Sequence, residues 1–176
     1  MIRTGLHTTA LSVLIAISSF TLAQSDYVLT KISKDKYDSL MQQDYQTFDQ
    51  NFQDGWRQYY DDLQLQLELI RDYKEDDANH QRNLTWHQGQ LEGMLGHNEE
   101  AAELFRQCWI SDTKGDPYRV AWNYYVGGSV AFMENDESLL DLYMDSLRNY
   151  ELDVNLNVLE RLKRSFGKTY REAYSK

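Results

Sequence analysis

Apolar positions recur along the chain at steps of three, four and seven, and strict alternation is missing. One run is Leu84, Leu91, Met94 and Leu95, and the next is Ala101, Ala102, Leu104, Phe105, Cys108 and Trp109. Then come Val120, Tyr124, Tyr125, Ala131 and Phe132, followed by Leu139, Leu140, Leu142, Tyr143 and Leu147. Leu156, Leu159, Leu162 and Phe166 close the series. Each run lays one apolar stripe along a helix, which predicts an all-α chain of amphipathic helices. Start signals fit the pattern. Asn98-Glu99-Glu100 sets a cap before two first-turn acids, and Asp116-Pro117 sets one before a first-turn proline. Asn157-x-x-Glu160 and Thr169-x-x-Glu172 read as capping boxes. The connectors Gly96-His97, Asn135-Asp136 and Gly167-Lys168 are so short that consecutive helices are expected to pack antiparallel.

The N-terminal third is less regular. Lys34 to Phe48 is expected to form one helix and Phe48 to Gly55 a loop. Trp56 to Lys74 is expected to be helical, with Asp61-Asp62 as the place for a break. Leu63, Leu67, Ile70 and Lys74 share one face of its second half.

An internal repeat runs through the rest. Gly89 and Gly96 are seven positions apart, as are Gly128 and Asn135, 39 positions further on. Ala101 and Phe105 follow the first pair at the offsets at which Leu140 and Met144 follow the second. Each unit is helix, tight turn, helix, and a period of about 34 to 40 in such units signals a solenoid. The unit Asn83 to Asp112 resembles the tetratricopeptide repeat, through Gly89 on its first helix, the turn at Gly96, then Ala101 and Phe105. It departs from that pattern at Thr85, which stands at the early Trp position with Trp86 beside it, and at Thr113, at the terminal Pro position. The unit Trp122 to Glu151 is a degenerate copy, and Asn157 to Tyr174 a truncated one. The resemblance implies a short solenoid of antiparallel helix pairs whose first helices line a groove for a protein or peptide partner. Carried over position by position, the groove residues are Asn83, Trp86 and Gln90, then Trp122, Tyr125 and Ser129. The Lys and Asn with which some members clamp a terminal carboxylate are not present at Trp86 and Gln90. The N-terminal helices are a possible cover for this groove.

The chain also resembles a group of predicted secreted bacterial proteins to which no activity is attached. The shared pieces are Phe48-Asp49-Gln50 with Gly55-Trp56-Arg57, Trp86-His87, Trp122-Asn123-Tyr124-Tyr125-Val126, Ala131-Phe132 and Phe166-Gly167-x-x-Tyr170-x-x-Ala173-Tyr174. This resemblance implies an architecture and a compartment only.

The compartment is also written in the first residues. Arg3 precedes an uncharged stretch, Ala10 to Ala23, that ends in Thr21-Leu22-Ala23. A positive start, a short apolar core and a small-x-Ala exit are the parts of a secretory signal peptide. Fourteen residues are too few to cross a hydrocarbon core of about 30 Å. The expected organisation is therefore a leader over 1–23 and a single helical-repeat domain over 24–176, periplasmic or secreted from a bacterium, with no stable membrane insertion after cleavage. Cys108 is the one cysteine, so no intramolecular disulfide or Cys-based zinc site is possible.

Charge narrows the partners. The chain carries a formal −10, and loss of Arg3 with the leader takes it to −11. Nucleic acid is not an expected partner. Acids dominate from Asp44 to Asp77 and bases from Glu160 to Lys176, and complementary ends of this kind allow head-to-tail self-association.

Catalytic and metal-binding motifs are missing. His80, His87 and His97 lack the i, i+4 spacing of a helical zinc pair, and Gly127-Gly128 lies inside a helical pattern rather than at a phosphate loop. Asp112-Thr113-Lys114-Gly115-Asp116 is out of calcium-loop register, and Cys108 sits on an apolar stripe as an inert thiol. The expectation is a binding module with no catalytic activity, no cofactor and no metal. An alternative is an inhibitor or toxin-neutralising protein that uses its acidic surface against a basic target. N-terminal sequencing of the exported chain should return Gln24 as the first residue. A terminus upstream of Leu22 would overturn the cleavage assignment.

Overall fold

In a computed structural model, residues 26–150 and 153–174 are described, and every regular element among them is helical. The leader expected over 1–23 and its junction at Ala23-Gln24 lie outside the described residues. No helix among the described residues is long and apolar enough to cross a membrane. The chain divides into two compact units, one ending at Tyr59 and one beginning at Tyr60.

In the first unit, residues 26–31 are helical, followed by α1 (Lys34–Met41), α2 (Tyr45–Gln50) and a 3₁₀ turn (Trp56–Tyr59). The single helix expected from Lys34 to Phe48 is thus two. The reason is Asp44, which takes an extended backbone and accepts the Thr47 N–H at 2.8 Å, starting a new helix. Asp49 is fully buried and organises the turn that follows. It accepts Trp56 Nε1–H at 3.0 Å, Tyr45 Oη–H at 2.9 Å and the Arg57 guanidinium at 3.3 Å. Arg57 also lies over the Trp56 ring, 4.2 Å from its centroid. A buried carboxylate with this many donors carries its charge at low cost, so Asp49, Trp56 and Arg57 are structural.

The second unit runs α3 (Leu63–Asp72), α4 (Ala78–Leu95), α5 (Asn98–Gln107), α6 (Pro117–Met133), α7 (Glu137–Leu147), α8 (Asp153–Arg164) and α9 (Tyr170–Tyr174). Side-chain caps fix most of the starts. Asp62, Asp77, Asp116 and Asp136 each accept backbone N–H groups of the helix that follows. Pro117 opens α6 as expected, and Thr169 and Glu172 exchange the reciprocal bonds of a capping box before α9. Two starts differ from the sequence reading. Asn98 is the first helical residue, with His97 at the cap position and no side-chain cap bond. Asn157 lies inside α8, which begins earlier, at Asp153.

The turns at Gly96 and Asn135 are alike in atomic detail. Both residues have positive φ, +91° and +59°. Gly96 and His97 donate to Gly93 and Glu92 carbonyls, and Asn135 and Asp136 donate to Phe132 and Ala131. This is the same double bond pattern closing two helices 39 positions apart. Within the second unit each helix packs on the next along the chain, α6 also meets α8, and α9 returns to α4. Ala101, Phe105, Leu140, Leu147, Leu159 and Leu162 are enclosed in one core together with Trp86, Tyr125 and Tyr170. Ala101 has no exposed surface, so Ala101→Leu should overpack the α5 crossing and cost about 1–3 kcal/mol. A thermal melt that matched the parent would show that this position has room.

Candidate functional site

The groove residues expected from the repeat pattern separate into two sets. Trp86, Tyr125 and Ser129 are interior, Gln90 and Trp122 half-buried, and Asn83 exposed. The open aromatic surface expected from Trp86, Trp122 and Tyr125 is therefore corrected: these rings pack on one another. Trp86 lies 4.4 Å from Phe105 and 4.9 Å from both Trp122 and Tyr125, centroid to centroid. Ser129 turns back on its own helix, donating to the Tyr125 carbonyl at 3.0 Å.

Trp122 and its neighbour have a positional task. Trp122 Nε1–H donates to the Cys108 carbonyl at 2.9 Å. Asn123 binds the backbone of Ile110 twice, accepting its N–H and donating to its carbonyl, both at 2.8 Å. Together they pin the chain where it leaves α5. That explains polar and aromatic residues side by side at the start of α6 without recognition. The double amide bridge was invisible in the sequence, because nothing in it pairs Asn123 with Ile110.

What closes the aromatic face is the end of the chain. Tyr170 is 1% exposed and Ala173 fully enclosed. The Tyr170 ring lies 6.2 Å from Phe105 and 6.0 Å from Phe132, with Gly93 leaving room beside it. Gln90 Nε2–H donates to Tyr174 Oη at 2.8 Å, tying α9 to α4. The sequence signal was Thr169-x-x-Glu172, which gives a short helix its start but does not say where it docks.

A different groove of about 440 Å³ opens over α4 and α5, lined by Arg71, Gln88, Glu92, Glu99, Glu100, Glu103, Leu104 and Gln107. Its charge is unequal. Arg71 bridges Glu68 and Glu92, both nearly fully buried, so its cation is already answered. Burial raises the Glu68 carboxyl above its usual range, with Arg71 and the Gln64 amide pulling the other way. His97 Nδ1 holds the second Glu92 oxygen at 2.7 Å. Glu99, Glu100 and Glu103 are exposed on the first turns of α5. Among the described residues the nearest cation to them is Arg106, 3.7 Å from Glu103.

The remaining candidates for chemistry are accounted for by packing. His87 Nδ1 lies 3.0 Å from Gln90 Oε1, and His80 Nδ1 3.5 Å from Glu75. Burial pushes the Cys108 thiol up to about 12, so the reactive thiolate does not form near neutral pH. Among the described residues no three His, Cys, Asp or Glu side chains gather as a metal site. No protein-family model matches the chain, and neither a curated protein nor a solved structure matches it.

Burial ranks the tryptophans. Trp109 is 45% exposed, whereas Trp56 and Trp86 are 4% and 5% exposed. In single-tryptophan variants, acrylamide should quench Trp109 strongly and leave Trp56 and Trp86 protected. Equal quenching of Trp86 and Trp109 would mean that the aromatic face is open in solution.

Proposed function

We propose that this chain is a non-catalytic binding module that recognises a basic segment of a partner protein through the acidic groove over α4 and α5. The observation that carries this reading is the groove's charge. Glu99, Glu100 and Glu103 line an open concavity whose one lining cation, Arg71, is held by Glu68 and Glu92. A Lys or Arg side chain is the group that such a surface favours, through attraction that is strongest at low salt. The three carboxylates stand on a helix whose register is fixed by buried Ala101, Ala102 and Phe105, so their spacing is rigid. Glu99 and Glu100, in the first turn, also complement the positive end of the α5 dipole, while Glu103 further along has Arg106 at 3.7 Å.

In this reading α4–α5 and α6–α7 are successive repeats of tetratricopeptide type. Support comes from the matched turns at Gly96 and Asn135 and from the equivalent buried positions Ala101 and Leu140. The recognition face differs from that family's groove, whose equivalent here is filled by Tyr170 and the aromatic stack. The leader-like first residues support placing the module in the periplasm or outside the cell. Action on a basic target through an acidic surface is also how an inhibitor or toxin-neutralising protein works, so that role falls within the same surface.

The test is selection from a displayed library of random peptides. Enriched peptides should be rich in Lys and Arg and should weaken as salt rises. The variant Glu99→Gln, Glu100→Gln, Glu103→Gln should bind them at least about tenfold more weakly, whereas Trp122→Phe should not. Enrichment of acidic or purely apolar peptides, or full binding by the triple variant, would refute the assignment.

A further inference from the structure

Four helices of the second unit bring polar groups together around the docked C-terminal helix. Helix α4 supplies His87 and Gln90, α6 supplies Tyr125, α8 supplies Arg161, and α9 supplies Tyr170 and Tyr174. Two of their hydrogen bonds are satisfied internally: His87 with Gln90, and Gln90 with Tyr174. The Arg161 guanidinium lies 5.6 Å from the Tyr174 ring centroid. Tyr125 and Tyr170 are both close enough to Tyr174 and Arg161 to feel their charge.

Two donors in this cluster have no partner. Tyr170 Oη is buried without a hydrogen bond, and so is Arg161 Nε. The Gln90 amide is near enough to Tyr170 to pull its hydroxyl down as a hydrogen-bond donor would, but the bond with good geometry goes to Tyr174 Oη, which leaves Tyr170 Oη without one. Among the described residues no carboxylate pairs with Arg161. Buried polar groups in folded proteins are nearly always satisfied, and two orphans of the same kind in one place call for an acceptor. Both hydroxyls stay protonated, because burial raises Tyr125 and Tyr170 well above the ordinary phenol range. The cluster therefore offers neutral donors and one fixed cation, and no anion of its own.

We propose that Arg161, with the hydroxyls of Tyr125, Tyr170 and Tyr174, forms a binding site for an oxyanion of the phosphate or sulfate type. The donors come from three different helices, and a tetrahedral ion can accept bonds from more directions than the two oxygens of a carboxylate. Arg161 supplies the charge-assisted bonds that dominate such recognition. The segment leans the same way. From Glu160 to Lys176 bases outnumber acids six to two, in a chain that is acidic overall, and Arg164, Lys168 and Arg171 are exposed. Arg161, Gln90 and Tyr174 are only partly covered, which leaves a route from solvent to the guanidinium.

Thermal melts of the full mature chain at matched ionic strength test this, with sodium phosphate, sulfate, acetate or chloride as the added salt. Phosphate and sulfate should raise the melting temperature saturably, chloride should not, and acetate should act more weakly. Arg161→Gln and Tyr170→Phe should each weaken the phosphate effect at least about tenfold. Tyr170→Phe should also melt no lower than the parent in chloride, since it removes a buried hydroxyl that has no partner. Arg161→Lys keeps the charge but lacks Nε, and serves where Arg161→Gln does not fold. Equal stabilisation by all four salts, an acetate effect as large as that of phosphate, or unchanged phosphate response in both variants would overturn the site. So would a lower melting temperature of Tyr170→Phe in chloride, which would make the hydroxyl a structural one.

Discussion

Large side chains seated against helical glycines hold the second unit together. Gly89 and Gly93 on α4 and Gly127 and Gly128 on α6 are all buried. A Cβ at Gly89 would come within 2.7 Å of the Phe105 ring, and one at Gly128 within 2.6 Å of Leu159. Gly93 faces Tyr170 and Met133, and Gly127 faces Tyr143. Four neighbours, α5, α7, α8 and α9, are thus each keyed to a missing side chain. A glycine inside a helix costs about 1 kcal/mol against alanine. Fully burying a phenylalanine or leucine contributes about 1.5–3 kcal/mol. The seat is worth more than the glycine costs, so these positions favour the packed unit over separate helices.

The same constraint decides which surface stays open. Because Gly93 admits Tyr170, α9 docks on α4 and closes the aromatic face that a groove binder of this layout would use. A five-residue helix cannot hold itself, since an isolated turn costs more backbone order than its few hydrogen bonds return. Its stability is borrowed from Tyr170 and Ala173, which are enclosed, and from the capping box at Thr169. A ligand aimed at Trp86 and Tyr125 would have to strip out that burial first. The α4–α5 groove demands no such rearrangement, which is why its carboxylates carry the functional reading.

Helix content and the turns were legible in the sequence for a local reason. Apolar spacing, Asp116-Pro117, Gly96 and Asn135 act within one or two turns of chain, and each did what its chemistry dictates. The break at Asp44 was missed because the apolar spacing continues across it while the cap is a single side chain. Asn157-x-x-Glu160 misled for the opposite reason, a cap-like pair placed inside a helix that had already begun. The six groove residues show where local reading stops. Their spacing placed Trp86 and Tyr125 on equivalent faces, and they do meet, at 4.9 Å. Whether that face is wet depends on where Tyr170 docks, more than forty positions away along the chain, and no periodicity reports that.

Charge on this chain has to be read locally. A formal −10 spread over the surface would repel an oxyanion at long range, yet at physiological salt that field is screened within about 8 Å. Arg161 stands beside the Tyr174 ring on a C-terminal segment, 160–176, in which bases outnumber acids six to two. The α5 carboxylates for their part have Arg106 beside Glu103 and an Arg71 already committed to Glu68 and Glu92. The two proposed surfaces, of opposite preference, therefore need not cancel on one acidic unit. Salt separates them experimentally, because an exposed carboxylate row loses its attraction as ionic strength rises, whereas a half-buried guanidinium among low-dielectric walls keeps most of its own.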